Sequence, residues 1–153
     1  MKEAPVVSRS EGSLPSGSSR GAYRRLRQGY VLTSVLLAVA VLIQVFLAGS
    51  GLFGEPSWWS THRMFGMMLS LGPLVLLALG LAARLPWRTL LLTGLLLVLF
   101  GLQPVLILGP GLSELPELKA LHVVNAVLIF ALTAMLGQQV WRRLAPANES
   151  LAR

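Results

Sequence analysis

The sequence has no cysteine and few charged residues, and both shortages limit what the protein can be. Without cysteine, disulfides, thiolate-bound iron–sulfur clusters and covalent attachment of c-type haem are excluded. Charged residues make up only 12% of the 153 residues, whereas hydrophobic residues make up 54%. This composition is too apolar for an ordinary soluble domain and is typical of one small membrane domain.

Four long apolar stretches account for most of the chain. Each is close to the roughly 20 residues that an α-helix needs to cross the hydrocarbon core of a bilayer. They run from Tyr30 to Leu47, His62 to Ala83, Trp87 to Leu108 and Leu118 to Trp141. The sequence therefore predicts an all-α integral membrane protein, a four-helix bundle over residues 29–144 with both termini on one side.

Acidic residues are scarce, and most basic residues lie beside the helices. Of the 13 Lys and Arg, six precede the first helix, three follow the last helix, and Arg84 and Arg88 lie in the middle connection. Because cytoplasmic loops are enriched in cations, we expect both termini in the cytoplasm and a multi-pass protein of the plasma membrane. No folded basic face is indicated, so the expected partner is the lipid bilayer and not nucleic acid.

The two ends of the chain differ from the bundle in composition. The first 22 residues are rich in Ser, Gly and Pro, and they cannot bury enough apolar surface to offset the entropy of ordering them. We therefore expect residues 1–28 to form a flexible basic cytoplasmic tail. Residues 145–153 form a second, short tail in this interpretation.

The two halves of the bundle resemble each other. A shift of about 60 residues, the separation of the two histidines, aligns Gln44 with Gln103, Gly49 with Gly109, Pro56 with Pro116, His62 with His122 and Gly66 with Ala126. This spacing predicts two tandem helical hairpins, related as parallel repeats by an axis along the membrane normal. The chain's two histidines would face each other across that axis, near the outer face.

The paired histidines predict a bound cofactor. A titratable side chain at membrane depth is costly, and such residues usually face the bundle interior and serve a function. Each histidine begins a helix whose positive dipole end favours neutral imidazole, the form that ligates metal. Two such imidazoles suit one noncovalent haem b, with His62 and His122 as iron ligands. A tetrahedral zinc or copper site would have only two of its four ligands from these histidines.

Seven other residues are predicted to surround that haem. Two small residues, one turn after each histidine, leave room for a flat macrocycle: Gly66 and Ala126. Two cations could pair with the haem propionates: Arg63 and, more loosely, Lys119. Three amides could hydrogen-bond the cofactor site or join helices: Gln44, Gln103 and Asn125. For Asn125, helix packing is the simpler role.

The strings around both histidines resemble a known family. HRMFG and LHVVNA are similar to the HR and VH-x-x-A patterns that open haem-ligating helices in heme A synthase, each half of which is a four-helix bundle. The resemblance implies a bis-histidine haem site at His62 and His122. It does not imply haem hydroxylation, because Gln44 stands where that family's acidic catalytic residue would be sought. The chain is also similar to small uncharacterised four-helix membrane proteins.

Three functions fit these features. The first is a haem b electron-transfer or redox-accessory subunit that exchanges electrons with a quinol or within a larger membrane redox complex. One haem near the outer face cannot conduct electrons across roughly 30 Å of hydrocarbon by itself. The second is a cofactor-free structural or assembly subunit of a membrane complex. The third, a quinone- or haem-handling enzyme, ranks below both, so the sequence favours a subunit over a stand-alone enzyme.

Overall fold

The computed structural model describes residues 17–110 and 116–144, and all regular secondary structure in these ranges is helical. The helices are α1 (Gly17–Phe53), α2 (Trp58–Leu69), α3 (Gly72–Ala82), α4 (Trp87–Leu108), α5 (Pro116–Lys119) and α6 (Leu121–Arg142). Four stretches are long and apolar enough to span a membrane: Arg20–Phe53, Trp58–Ala82, Trp87–Leu108 and Glu117–Arg142. The predicted all-α class with four such helices is confirmed.

The first helix begins earlier than the apolar pattern predicted. α1 has 37 residues and starts at Gly17, so residues 17–28 belong to a helix and not to a flexible tail. Residues 20–28 contain four Arg and one each of Ala, Leu and Gln, all of which are good helix formers. The guanidinium of Arg84 also lies 5.3 Å from the centre of the Tyr23 ring, which fastens this part of α1 to the α3–α4 turn. The tails predicted at residues 1–16 and 145–153 lie outside the described residues.

The second span is interrupted between α2 and α3. Pro73 stands in the first turn of α3 and has no N–H to donate to the preceding turn. The interruption lets the two halves of the span pack differently. α2 packs against α1, whereas α3 packs against both α1 and α4. As a result α2 and α6 approach each other little at the backbone level.

The helices form a closed ring of neighbours. α1 packs along α6, α6 packs along α4, and α4 meets α3. We call the end of the bundle that carries His62 and His122 the histidine end, and the end with the start of α1 and the end of α6 the termini end. The derivation of the two halves from one repeated hairpin stays a prediction.

Small polar side chains line the contacts between helices. Several of their hydroxyl groups donate to the carbonyl four residues earlier, so they are satisfied without water: Ser34 to Tyr30, Thr93 to Thr89 and Thr133 to Ile129. The exposed large hydrophobic side chains are mostly leucine and valine. This division is typical of membrane bundles, in which small residues let helices approach closely.

One buried hydrogen bond joins α1 to α4. The Tyr30 hydroxyl lies 2.7 Å from Thr93 Oγ1, and the tyrosine side chain is fully buried. We expect Tyr30→Phe to lower the free energy of unfolding by about 0.5–1 kcal/mol, because the Thr93 oxygen loses the hydrogen bond that the tyrosine hydroxyl donates, while its own bond to the Thr89 carbonyl remains. Unfolding in mixed detergent and dodecyl sulfate micelles measures this value. Tyr23→Phe is the control, and an equal loss there would contradict the assignment.

Candidate functional site

The two histidine side chains lie opposite each other at the histidine end. His62 belongs to α2, and His122 belongs to the first turn of α6. Their ring centroids are 6.3 Å apart, and the ring planes are tilted by 59°. Both residues are half-buried. The two predicted iron ligands are therefore neighbours in space, across the gap between α2 and α6.

Both imidazoles are held in the same way by the preceding helix. His62 Nδ1 lies 3.1 Å from the carbonyl oxygen of Gln44, and His122 Nδ1 lies 3.2 Å from the carbonyl oxygen of Gln103. A carbonyl oxygen can only accept, so Nδ1 carries the proton in each neutral ring. The Nε2 atom of each ring then keeps its lone pair. Metal-ligating histidines commonly have this second hydrogen bond to a carbonyl or carboxylate.

The glutamine side chains join helices. Gln44 Nε2 donates to the carbonyl oxygen of His62 at 2.7 Å, so α1 and α2 are linked by two reciprocal bonds. Gln103 Oε1 accepts from Asn125 Nδ2 at 3.0 Å, and the same nitrogen donates to the carbonyl oxygen of Leu99 at 2.8 Å. Of the roles predicted for these amides, the described contacts correspond to the joining of helices. The histidine rings contact the glutamine main chain instead.

Gly66 has a specific neighbour. A Cβ atom at this position would lie 2.7 Å from Gln44 Nε2, so the absence of a side chain admits the Gln44 amide. The space directly beside Gly66 is thus occupied by protein. Ala126, the corresponding residue on α6, is half-buried. The predicted contact of this pair with a macrocycle stays a prediction.

Trp59 is a neighbour of His62 that the sequence analysis did not identify. Its ring meets the imidazole edge-on, with centroids 5.6 Å apart and planes at 80°. The indole lies over Gly51 of α1, where a Cβ would come within 2.9 Å of it. The spacing of three residues between Trp59 and His62 on one helix was the available signal. The ring limits the orientations that His62 can adopt.

Two buried acceptors beside the histidines have no donor among the described residues. They are Gln44 Oε1 and Asn125 Oδ1, the side-chain oxygens of two amides whose nitrogens donate across to a neighbouring helix. Buried carbonyl groups of this kind usually accept from protein or from an ordered water. Each of these two oxygens can still accept a hydrogen bond from a donor outside the described residues.

The two predicted propionate partners are also at the histidine end. Arg63 is exposed and follows His62 directly, and Lys119 is half-buried in the short helix α5. Within the described ranges no group of three or more His, Cys, Asp or Glu side chains could hold a metal ion. A bare ion between the imidazoles would thus have only two protein ligands of these types from the described part of the chain.

Residues 44–109 match the model of a family of unknown function, DUF6220. The matched part begins at Gln44 and includes His62, but it ends before His122. Neither curated proteins nor solved structures gave a significant match to the chain. The family match fits the similarity to small uncharacterised four-helix membrane proteins, and none of the comparisons links the chain to heme A synthase.

Proposed function

We propose that this protein binds one b-type haem between His62 and His122 and acts as a small electron-transfer or redox-accessory subunit in a membrane. The observation that carries the proposal is the imidazole pair. Its ring centroids are 6.3 Å apart, and each Nδ1 is bonded to a main-chain carbonyl. Both free nitrogens are therefore Nε2 atoms with a lone pair, on two rings that are neighbours in space.

The separation of the rings suits axial ligation of one metal ion. An imidazole nitrogen binds a metal at about 2.0–2.1 Å and lies about 1.1 Å from its ring centre, so two imidazoles on opposite sides have centroids about 6 Å apart. The distance between the His62 and His122 rings agrees with this value. The centroid distance between the two rings therefore supports ligation of a single ion by both imidazoles.

The donor set favours a porphyrin over a bare ion. Two imidazoles leave a tetrahedral site half complete, whereas a porphyrin brings four nitrogen donors and needs only two axial ligands. A bound haem would supply one-electron chemistry at this position. The chain's own contribution is to orient the imidazoles through the carbonyls of Gln44 and Gln103, which also raises their basicity as ligands. Arg63 and Lys119 are the cations available for carboxylates.

The position of the site limits the route of electrons. Both histidines of the chain lie at the histidine end, so the termini end has no imidazole for a second haem. One site cannot conduct across roughly 30 Å of hydrocarbon. The expected electron partners are therefore a quinol, an extracytoplasmic carrier or a neighbouring subunit that reaches the histidine end.

A cofactor-free structural or assembly subunit is the second candidate, and a specific observation favours it. His62 and Gln44 exchange two hydrogen bonds between α1 and α2, and His122 bonds α4 through Gln103. Such bonds stabilise a membrane bundle even without a ligand. In this case His62 only holds α2 against α1, His122 only holds α6 against α4, and neither binds a metal.

An absorption spectrum separates the two candidates. We expect protein purified in mild detergent from haem-supplemented cells to carry one haem per chain, with a low-spin spectrum that sharpens on reduction by dithionite. Extraction into alkaline pyridine then identifies the haem as b-type. Haem titration into protein from haem-starved cells is the control for incomplete loading. A protein that is colourless from supplemented cells and does not take up haem on titration would refute the first candidate and leave the second.

A further inference from the structure

An open cavity lies at the termini end, at the opposite end of the bundle from the histidines. It has a volume of about 420 Å³ and lies between α4 and α6, lined by Leu92, Met135, Gln138, Gln139, Arg142 and Arg143. None of these residues takes part in the imidazole site. The cavity therefore needs an explanation of its own.

The described charged residues that line the cavity are both basic. Arg142 and Arg143 supply two guanidinium groups, and no acidic residue from the described part of the chain lines the cavity. The acidic residues whose side chains the structure describes, Glu55 and Glu117, are at the histidine end. Guanidinium groups bind phosphate oxygens well, and basic pockets between membrane helices on one face bind anionic head groups. The charge is thus complementary to a phosphate group.

The uncharged residues that line the cavity indicate what else the ligand contains. Leu92 and Met135 offer apolar surface towards the membrane interior, which suits the start of an acyl chain. Gln139 Oε1 is buried and has no hydrogen-bond donor among the described residues. A phosphodiester cannot satisfy this oxygen because it has no donor. A ligand with a phosphate, a hydroxyl group and an acyl chain would match the two arginines, the Gln139 oxygen and the apolar side chains of the cavity.

We propose that this cavity binds one anionic phospholipid with a hydroxyl-bearing head group, of the phosphatidylglycerol type. Arg142 and Arg143 hold the phosphate, the Gln139 amide rotates so that its buried Oε1 accepts from a head-group hydroxyl, and the acyl chain lies along Leu92 and Met135. The lipid fills the space between α4 and α6 at the termini end. This proposal is independent of haem binding, because the cavity shares no residue with the imidazole pair.

Native mass spectrometry of the full chain in mild detergent tests the site with three lipids. Phosphatidylglycerol carries the charge and the hydroxyls, phosphatidylmethanol carries the same charge without a hydroxyl, and phosphatidylcholine has no net charge. We expect the protein to retain one phosphatidylglycerol at least about tenfold more tightly than phosphatidylcholine, because each cation contributes measurably to binding an anionic lipid. Glycerol 3-phosphate, which has the polar groups without the acyl chains, should not displace the lipid.

Two double variants of equal charge test the position of the site. Arg142→Gln with Arg143→Gln should weaken phosphatidylglycerol binding about 10- to 30-fold, since both phosphate contacts are lost. Arg24→Gln with Arg25→Gln removes the same charge from exposed residues of α1 at the same end and should change it less than about twofold. Equal weakening in both double variants would show diffuse surface attraction and overturn the proposal. So would equal retention of phosphatidylglycerol and phosphatidylcholine.

A third variant tests the hydroxyl contact. Gln139→Met keeps the approximate shape of the side chain and removes the acceptor. It should abolish the preference for phosphatidylglycerol over phosphatidylmethanol and preserve the preference for phosphatidylmethanol over phosphatidylcholine. If the preference for phosphatidylglycerol persists in this variant, Gln139 does not read the head group.

Discussion

Replacing either histidine with alanine is expected to abolish the low-spin haem spectrum of the purified protein. His62→Ala and His122→Ala each remove one axial nitrogen, and the ring that remains cannot produce a six-coordinate low-spin iron by itself. Changes in the groups that merely orient a ligand cost about 10- to 100-fold in metal affinity, so loss of a ligand should cost at least about 100-fold. Haem titration followed by absorption in the visible range measures both effects.

The control variants separate ligation from folding. Met64→Leu changes an exposed neighbour of His62 on α2 and should leave the spectrum unchanged. In His62→Gly and His122→Gly, free imidazole should restore the low-spin spectrum, because it can occupy the position of the deleted ring. If the histidines only joined helices, free imidazole would not restore the spectrum, since it does not reconnect the two helices. Low-spin spectra in both alanine variants would refute ligation by these histidines.

A large side chain at Gly137, where α1 and α6 are in close contact, is expected to cause a larger loss of stability than Tyr30→Phe. A Cβ atom at Gly137 would lie 2.9 Å from Ser34 Cβ, an atom fixed to the backbone of the facing helix. Gly137→Leu must therefore push α1 and α6 apart along their contact. We expect the free energy of unfolding to fall by about 2–3 kcal/mol, the usual cost of overpacking a membrane or soluble core. Unfolding in dodecyl sulfate and mild detergent, followed by circular dichroism, measures this loss.

Gly101→Leu is the matched control for that variant. A Cβ atom at Gly101 would meet nothing within 4 Å, and the residue is exposed on α4. The same change in side-chain volume there should alter stability by less than about 1 kcal/mol, and leucine favours the helix over glycine. Similar losses in both variants would show that the effect comes from the added leucine and not from the contact with Ser34.

The arrangement of the histidines was partly predictable from the sequence. The shift that aligns His62 with His122 also aligns Gln44 with Gln103, and the structure brings each histidine to its glutamine. The alignment could not show that the main-chain carbonyl makes this contact. A side-chain pattern identifies which residues are neighbours, whereas the atoms that meet depend on how two helices cross and rotate. The same limit applies to Trp59, whose ring position over Gly51 depends on the approach of α2 to α1.

The start of α1 shows a second limit. The apolar pattern near Tyr30 marks where hydrocarbon begins, but a helix can continue beyond the membrane wherever its residues favour it. The contact of Arg84 with Tyr23 comes from residues far apart in the chain, and it holds the basic part of α1 against the α3–α4 turn. Hydropathy therefore predicted correctly that a helix covers Tyr30–Leu47, but it placed the start of that helix too late.

The sequence by itself determined the four apolar helices and the presence of one histidine near the start of two of them, because hydropathy and spacing are local properties of the chain. Only the tertiary structure decided that the two imidazoles lie 6.3 Å apart with Nδ1 engaged in both. It also decided that Gly66 admits the Gln44 amide and that a basic cavity opens between α4 and α6. These features depend on the packing of helices distant in sequence, and small residues such as Gly137 set how closely those helices approach.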